Sequence, residues 1–483
     1  MKYIDRRAFV RAGLAISTVG TLAARSDTGH RLSRAVTARP LSSATRSYAL
    51  NAVESQVDLG GPEVNTWAYN GVVPGREIRV RKGDVIKAKL VNRLPTETTV
   101  HWHGVPVPND MDGAPGVTQD PVEPGDVFVY RFAAEVPGTY WFHPHVGVQQ
   151  DRGLYAPLII EDPDEPAPYD EEWVVVLDDW IDGVKTTPDE VLAALRSGSG
   201  HGAAATQPGH DNLLLRDAHS PLLRGHAGDV NYPHYLINGR VATAPRTFTA
   251  KPGQRVRIRF INAGGDTAFR VAIGGHRMRV THTDGFPVEP VETEALLIGM
   301  AERYDVLVTL EDGVFPLVAL AEGKNATALA LIRTSTGQAP PPDVRPKELD
   351  GLLIGYDRLT PTPDALLPRK NPDVEHHLVL SGTMEKYDWG INGETYDPEQ
   401  GYAIREGQRV RLLFTNKTKM WHPMHVHGHT FQTNETGPRK DTVNVLPGQT
   451  VTCDFDADNP GRWMLHCHNV YHSESGMMTL LTY

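Results

Sequence analysis

The chain has 483 residues, 40% of them apolar, with 45 Gly, 37 Pro, two Cys and a formal net charge of −11. That length suits two to four domains, and the abundant Gly and Pro favour many short strands over long helices. The acidic balance argues against a nucleic-acid surface, and two cysteines are too few for a disulfide framework.

The first residues carry a targeting pattern. Asp5-Arg6-Arg7-Ala8-Phe9-Val10 holds a twin arginine, and a modest apolar run follows from Ala12 to about Ala24. The run is too short and too polar to span a membrane. Residues 1–45 are therefore expected to be a twin-arginine signal peptide and flexible leader. The folded chain would leave through the twin-arginine export machinery and be periplasmic or secreted.

From about residue 47 onward, strand signals recur. Alternating segments follow a Gly turn at Gly83, Gly253 and Gly407 and run to Asn262 and Asn416 in the later copies. An Asn-Gly pair lies upstream of each: Asn70-Gly71, Asn238-Gly239 and Asn392-Gly393. These offsets predict three copies of one all-β module. Charged turns at 161–172 and a Pro-rich stretch at 339–348 divide them into 46–165, 166–340 and 341–483. One helix is predicted in the middle module. Thr187 caps it, Pro188 opens it, Glu190 completes a capping box and Gly198 ends it. A loop at 198–231 then carries His201, His210, His219 and His226. Their irregular spacing favours a solvated loop over a metal-gathering one.

The chemistry sits in the histidines. Five His-x-His pairs occur among 21 His, where chance placement gives about one. They fall in four clusters: His101-Trp102-His103, His143-Pro144-His145, His422-Pro423-Met424-His425-Val426-His427-Gly428-His429, and His466-Cys467-His468 with His472 and Met477 beyond. Alternation along a strand sends Cys467 to one face and both flanking histidines to the other. Thiolate, imidazole and a nearby thioether make a blue-copper set, with Met as weak axial ligand. The two outward histidines are left for a different metal site. Likewise 425 and 427 share a face, while 422, an odd step away, points oppositely. Cys453, in the alternating run 450–455, is expected to be a buried free thiol.

These four motifs, in this order over three β modules, closely resemble the three-domain multicopper oxidases: laccases, bilirubin oxidases and bacterial cuprous oxidases. The resemblance spans nearly all of residues 45–483. It implies three consecutive cupredoxin-like Greek-key β-sandwich or barrel domains and four copper ions per chain. Cys467, His422 and His472 would hold the type 1 copper, with Met477 axial. His101 and His425 would hold the type 2 copper. His103, His143 and His468 would hold one type 3 copper, and His145, His427 and His466 the other. The trinuclear cluster would lie between the first and third domains, leaving the middle one as spacer and substrate wall. Asp112 matches an acid that relays protons to bound oxygen. Ser473 stands where several bacterial relatives carry Glu, which argues against a relay through Glu474. Asp441 is a weaker candidate near the cluster, and His429 is expected to be a packing residue.

The implied activity is one-electron oxidation of phenols or similar donors, coupled to four-electron reduction of O2 to water. The imidazole edge of His472 or His422 would pass the electron in, and His466 and His468 would carry it on from Cys467. The alternative is a cuprous oxidase for copper tolerance, although the chain has only 10 Met. A non-catalytic cell-envelope relative is a further alternative, which the complete ligand set argues against.

Overall fold

The three sequence copies fold alike, and their asparagines explain why. A computed structural model describes residues 44–165, 169–197, 213–215 and 217–483. The targeting segment, His201, His210 and Gly198 lie outside the described residues. Asn70-Gly71, Asn238-Gly239 and Asn392-Gly393 each place both residues at positive φ. This is the type I′ geometry that Asn-Gly favours because neither residue suffers there. Each Asn side chain then braces a neighbouring strand. Asn238 accepts from the Val176 N–H at 2.6 Å and donates to the Val174 carbonyl at 2.9 Å. Asn392 does the same with Val379 and His377 at 2.8 and 3.0 Å, and Asn70 with Asn51 and Ala49 at 3.2 and 3.0 Å.

In each copy the braced strand pairs in parallel with the alternating strand after the Gly turn. Thr45–Asp58 pairs with Val85–Asn92, Glu171–Trp180 with Arg255–Asn262, and Val374–Ser381 with Arg409–Asn416. The closing asparagines also repeat a role. Asn92, Asn262 and Asn416 each donate to two backbone carbonyls, in loops or at strand ends, at 2.7–3.1 Å. Unpaired backbone acceptors in a buried loop are costly, so one amide that satisfies two of them holds the loop in place.

Among the described residues each copy builds two main sheets, four plus four strands in the first, six plus six in the middle and six plus five in the last, and the middle copy adds a two-stranded hairpin. Hydrogen-bonded neighbours are often not consecutive in the chain, as Greek-key connection requires. The strand Leu353–Ile354, beyond the Pro-rich stretch, pairs with Ala295 and Leu296 of a middle sheet. Pairing with the middle sheets thus extends past residue 341.

The predicted helix is Pro188–Arg196, and both halves of its capping box form. A second helix, Val470–Glu474, has no counterpart in the sequence reading. Cys453 is buried and free. No helix among the described residues is long and apolar enough to cross a membrane.

Candidate metal centres

The strands His422–Val426 and Arg462–Cys467 pair antiparallel, with Met424 opposite Cys467 and His425 opposite His466. That register carries the two faces predicted from parity. Cys467 and His422 look one way; His425 and His466 look the other.

On the first face, helix Val470–Glu474 delivers His472. Asn469 caps it, its side-chain oxygen accepting from the N–H groups of Tyr471 and His472. Cys467 Sγ lies 3.6 Å from His422 Nδ1 and 3.7 Å from His472 Nδ1. The two Nδ1 atoms are 3.1 Å apart. An ion about 2.0 Å from each nitrogen and 2.3 Å from sulfur produces separations of this size. Met477 is buried, and its carbonyl accepts from the Cys467 N–H at 3.0 Å, which keeps it beside the thiol.

The outer nitrogens fix the tautomers. Thr418 Oγ1 already donates to Asn416 Oδ1, so it accepts from His422 Nε2 at 2.8 Å. The Asp229 carboxylate accepts from His472 Nε2 at 2.9 Å. Both Nδ1 lone pairs therefore point at the thiol, as a metal requires. Burial pushes the Cys467 thiol far above the usual thiol range, so only a bound cation can hold it as thiolate.

On the other face, three triads converge: His101, His103 and His425; His103, His143 and His468; and His145, His427 and His466. Within each, the donor atoms lie within 4.8 Å of one another. Two of these contacts are close, His466 Nε2 standing 3.2 Å from His145 Nε2 and 3.1 Å from His427 Nε2. Of the nitrogens that face away, six are anchored and His468 Nδ1 has no partner. His143 Nδ1 meets the Pro144 carbonyl at 2.8 Å, His425 Nδ1 the Asp441 carbonyl at 2.8 Å, and His466 Nδ1 the Cys467 carbonyl at 2.9 Å. The inward nitrogens have no partner at all: His101 Nε2, His103 Nδ1, His143 Nε2, His425 Nε2 and His468 Nε2. Orphaned buried acceptors at this density are costly unless cations fill the space between them.

Burial and mutual repulsion reinforce this. Burial first, then neighbouring histidines, holds His103, His143, His145, His425, His427 and His468 well below the usual histidine range. Their imidazoles stay neutral, with lone pairs available to metal.

Asp112 is fully buried against this cluster. Its Oδ2 lies 2.9 Å from His427 Nδ1, and its carbonyl 3.0 Å from His101 Nδ1. Asp441 Oδ1 lies 3.0 Å from His103 Nε2. His429 spends both nitrogens elsewhere, on the His427 carbonyl at 3.1 Å and the Tyr483 hydroxyl at 2.7 Å. It is a packing residue, stacked on Tyr483.

Sequence reasoning missed three contributors. Arg303, from the middle copy, forks onto Asp441 at 2.8 and 2.5 Å and donates to the Thr139 carbonyl of the first copy at 3.0 Å. Asp229, from the His-containing loop, caps His472. Asn469 starts the ligand-bearing helix. Only Asn469 left a signal, an N-cap residue just before a helix. His422 and His472 are both fully buried, because Asp229, Thr418, Tyr387 and Trp389 close over them. Beyond His466, Ser473 and Glu474 line a cavity of about 460 Å³ with Glu97 and His145.

Multicopper oxidase family models match residues 52–165, 171–337 and 369–483. The chain is 47% identical to multicopper oxidase MmcO of Mycobacterium tuberculosis over 99% of its own length and 96% of the relative's. It is 29% identical to a copper resistance protein A homolog of Pseudomonas syringae pv. tomato, covering 89% of this chain and 91% of that one. Among solved structures, a laccase from Botrytis aclada superposes with a TM-score of 0.72 at 26% identity, covering 91% of this chain and 88% of that one.

Proposed function

The chain belongs to the multicopper oxidase family, copper-dependent oxidoreductases with O2 as acceptor, and from that premise we propose an exported, laccase-like oxidase of phenols or similar one-electron donors. The observation that carries this reading is the tripeptide His466-Cys467-His468. Its thiol faces one donor set, and its imidazoles face the other across the same strand. Cys467, His422, His472 and Met477 would hold the type 1 copper. His101 and His425 would hold the type 2 copper. His103, His143 and His468 would hold one type 3 copper, and His145, His427 and His466 the other. Four coppers supply storage for the four electrons that convert O2 into two waters.

The chain's own residues do the rest. Thr418 and Asp229 fix the type 1 imidazoles from behind. Asp112 touches His427 and His101, where it can pass protons toward oxygen. Arg303 keeps Asp441 against His103. The twin arginine of the leader would send the folded protein out of the cytoplasm. Fusing residues 1–45 to a reporter that only folds in the cytoplasm tests this; no export, or export unaffected by changing Arg6 and Arg7 to Lys, overturns it.

A second reading, a cuprous oxidase, is favoured by one observation. Neither type 1 histidine has an exposed edge for a planar phenol to touch. One relative's name, copper resistance protein A homolog, points the same way. Copper content and O2 uptake decide among these readings. About four coppers per chain with faster uptake on a methoxyphenol supports the laccase reading. Faster uptake on Cu(I) supports the cuprous oxidase. A chain that binds no copper overturns both.

A further inference from the structure

The middle copy reaches the type 1 surroundings through a small hairpin. His219–Ser220 pairs with Gly225–His226, so that His219 stands directly opposite His226. Their ring centroids are 4.3 Å apart. His219 is exposed and His226 half-buried, and His226 Nδ1 has no hydrogen-bond partner.

The hairpin and the residues just after it are fastened beside both His422 and His472. The N–H of His226 donates to the Lys419 carbonyl at 3.1 Å, a short step before His422 in sequence. Trp421 Nε1 donates to the Ala227 carbonyl at 3.4 Å. Asp229, just beyond Ala227, accepts from His472 Nε2 at 2.9 Å. Its other oxygen, Oδ1, is a second buried atom with no partner. The segment 226–229 thus runs from the half-buried imidazole of His226 to the carboxylate that holds His472, with an unsatisfied polar atom at each end.

We propose that His219 and His226 form a docking site for monovalent copper as an electron-donating substrate, and that the segment 226–229 carries its electron to His472. The inference rests on the oxidase reading above and sharpens its cuprous-oxidase branch. Directly opposed cross-strand residues have Cβ atoms about 4.5–5.5 Å apart, so ring rotation alone brings two imidazoles onto one ion. Imidazole is a copper ligand, and a d10 monovalent copper accepts two nitrogen donors in line. Linear two-coordination is the monovalent d10 preference, whereas zinc favours a tetrahedral set and calcium and magnesium favour oxygens. A small ion seated here also resolves the access problem, because it need not touch a buried histidine. The stoichiometry closes: four Cu(I) become four Cu(II), and the four electrons with four protons reduce one O2 to two waters.

The test uses the copper-loaded full chain and a double variant, His219→Gln with His226→Gln. Silver(I), which shares the d10 shell and is not oxidised by O2, is the binding probe. The wild type is expected to retain one more Ag(I) per chain than the variant after desalting. Its KM for Cu(I) should be lower by about tenfold or more, while the ratio of Cu(I) to methoxyphenol turnover falls in the variant. Equal Ag(I) retention overturns the proposal. So does a proportionate loss with both donors, which marks a structural effect. If the wild type takes up no O2 with either donor, the oxidase reading fails instead, and Ag(I) retention judges the docking site on its own.

Discussion

The two faces of the strand Arg462–Cys467 are built on different terms. On the Cys467 side, all four donors come from residues 422–477, within one copy of the fold. On the His466 side, each triad draws on residues 101–145 of the first copy as well as 425–468 of the last. A site contained in one sandwich survives small shifts between sandwiches. A site split across two copies depends on whatever holds them together. Here that is a buried polar seam contributed by the copy that supplies no ligand. Arg303 grips Asp441, and Lys440 lies 3.0 Å from both Asp284 and Glu302. The middle copy is therefore a clamp on the histidine cluster as well as a wall beside Cys467, His422 and His472.

The sharpest way to separate the two faces is Cys467→Ser. Turnover should fall by at least about a thousandfold, roughly 4 kcal/mol on the barrier, because the electron path from the substrate side is cut. Copper analysis should show about one ion fewer per chain, with the cluster ions retained. Loss of all copper would mean the two faces are not independent.

Arg303→Met attacks the other face from a distance. It leaves Asp441 buried and uncompensated, at an expected cost of about 3–5 kcal/mol. The loss should appear as cluster copper leaking away while the blue type 1 absorption persists. Simultaneous loss of both would show that the clamp holds the whole chain.

Asp112→Asn keeps the shape and removes the charge beside His427 and His101. Steady-state O2 reduction should slow by about 10–100-fold, while anaerobic reduction of the type 1 copper by substrate proceeds at the wild-type rate. Unchanged turnover would make Asp112 a structural residue.

The smallest expected effect is Asn469→Ala, which removes the cap of the helix carrying His472. It should cost about 1 kcal/mol of stability by denaturant titration. The type 1 absorption band should shift and the cluster's copper content stay constant. A shift in neither would mean that Asp229 alone fixes His472.

Much of the fold was legible because its signals are local. Asn-Gly pairs encode I′ turns, alternation encodes half-buried strands, and the Thr187 box encodes the start of a helix. The histidine clusters were legible for the same reason: a His-x-His pair on a strand presents two imidazoles on one face with no tertiary information. The neighbours of the ligands were not. Asp229 lies in a loop of mixed composition, and Arg303 is one Arg among many alternating with apolar residues in strands. Nothing in their local sequence distinguishes them.

By itself, then, the sequence determined the candidate donor residues, the strand face each one takes and the threefold repetition of the module, because strand parity and turn chemistry act over a few residues. Only the tertiary structure decided which nitrogens of the imidazoles face inward and how His422 and His472 are closed off from solvent. It also decided which carboxylates and guanidinium hold the two ligand-bearing copies together. Several of those outcomes depend on contacts between residues more than a hundred positions apart, such as Asp229 with His472 and Arg303 with Asp441, which the packing of three sandwiches sets and no local pattern records.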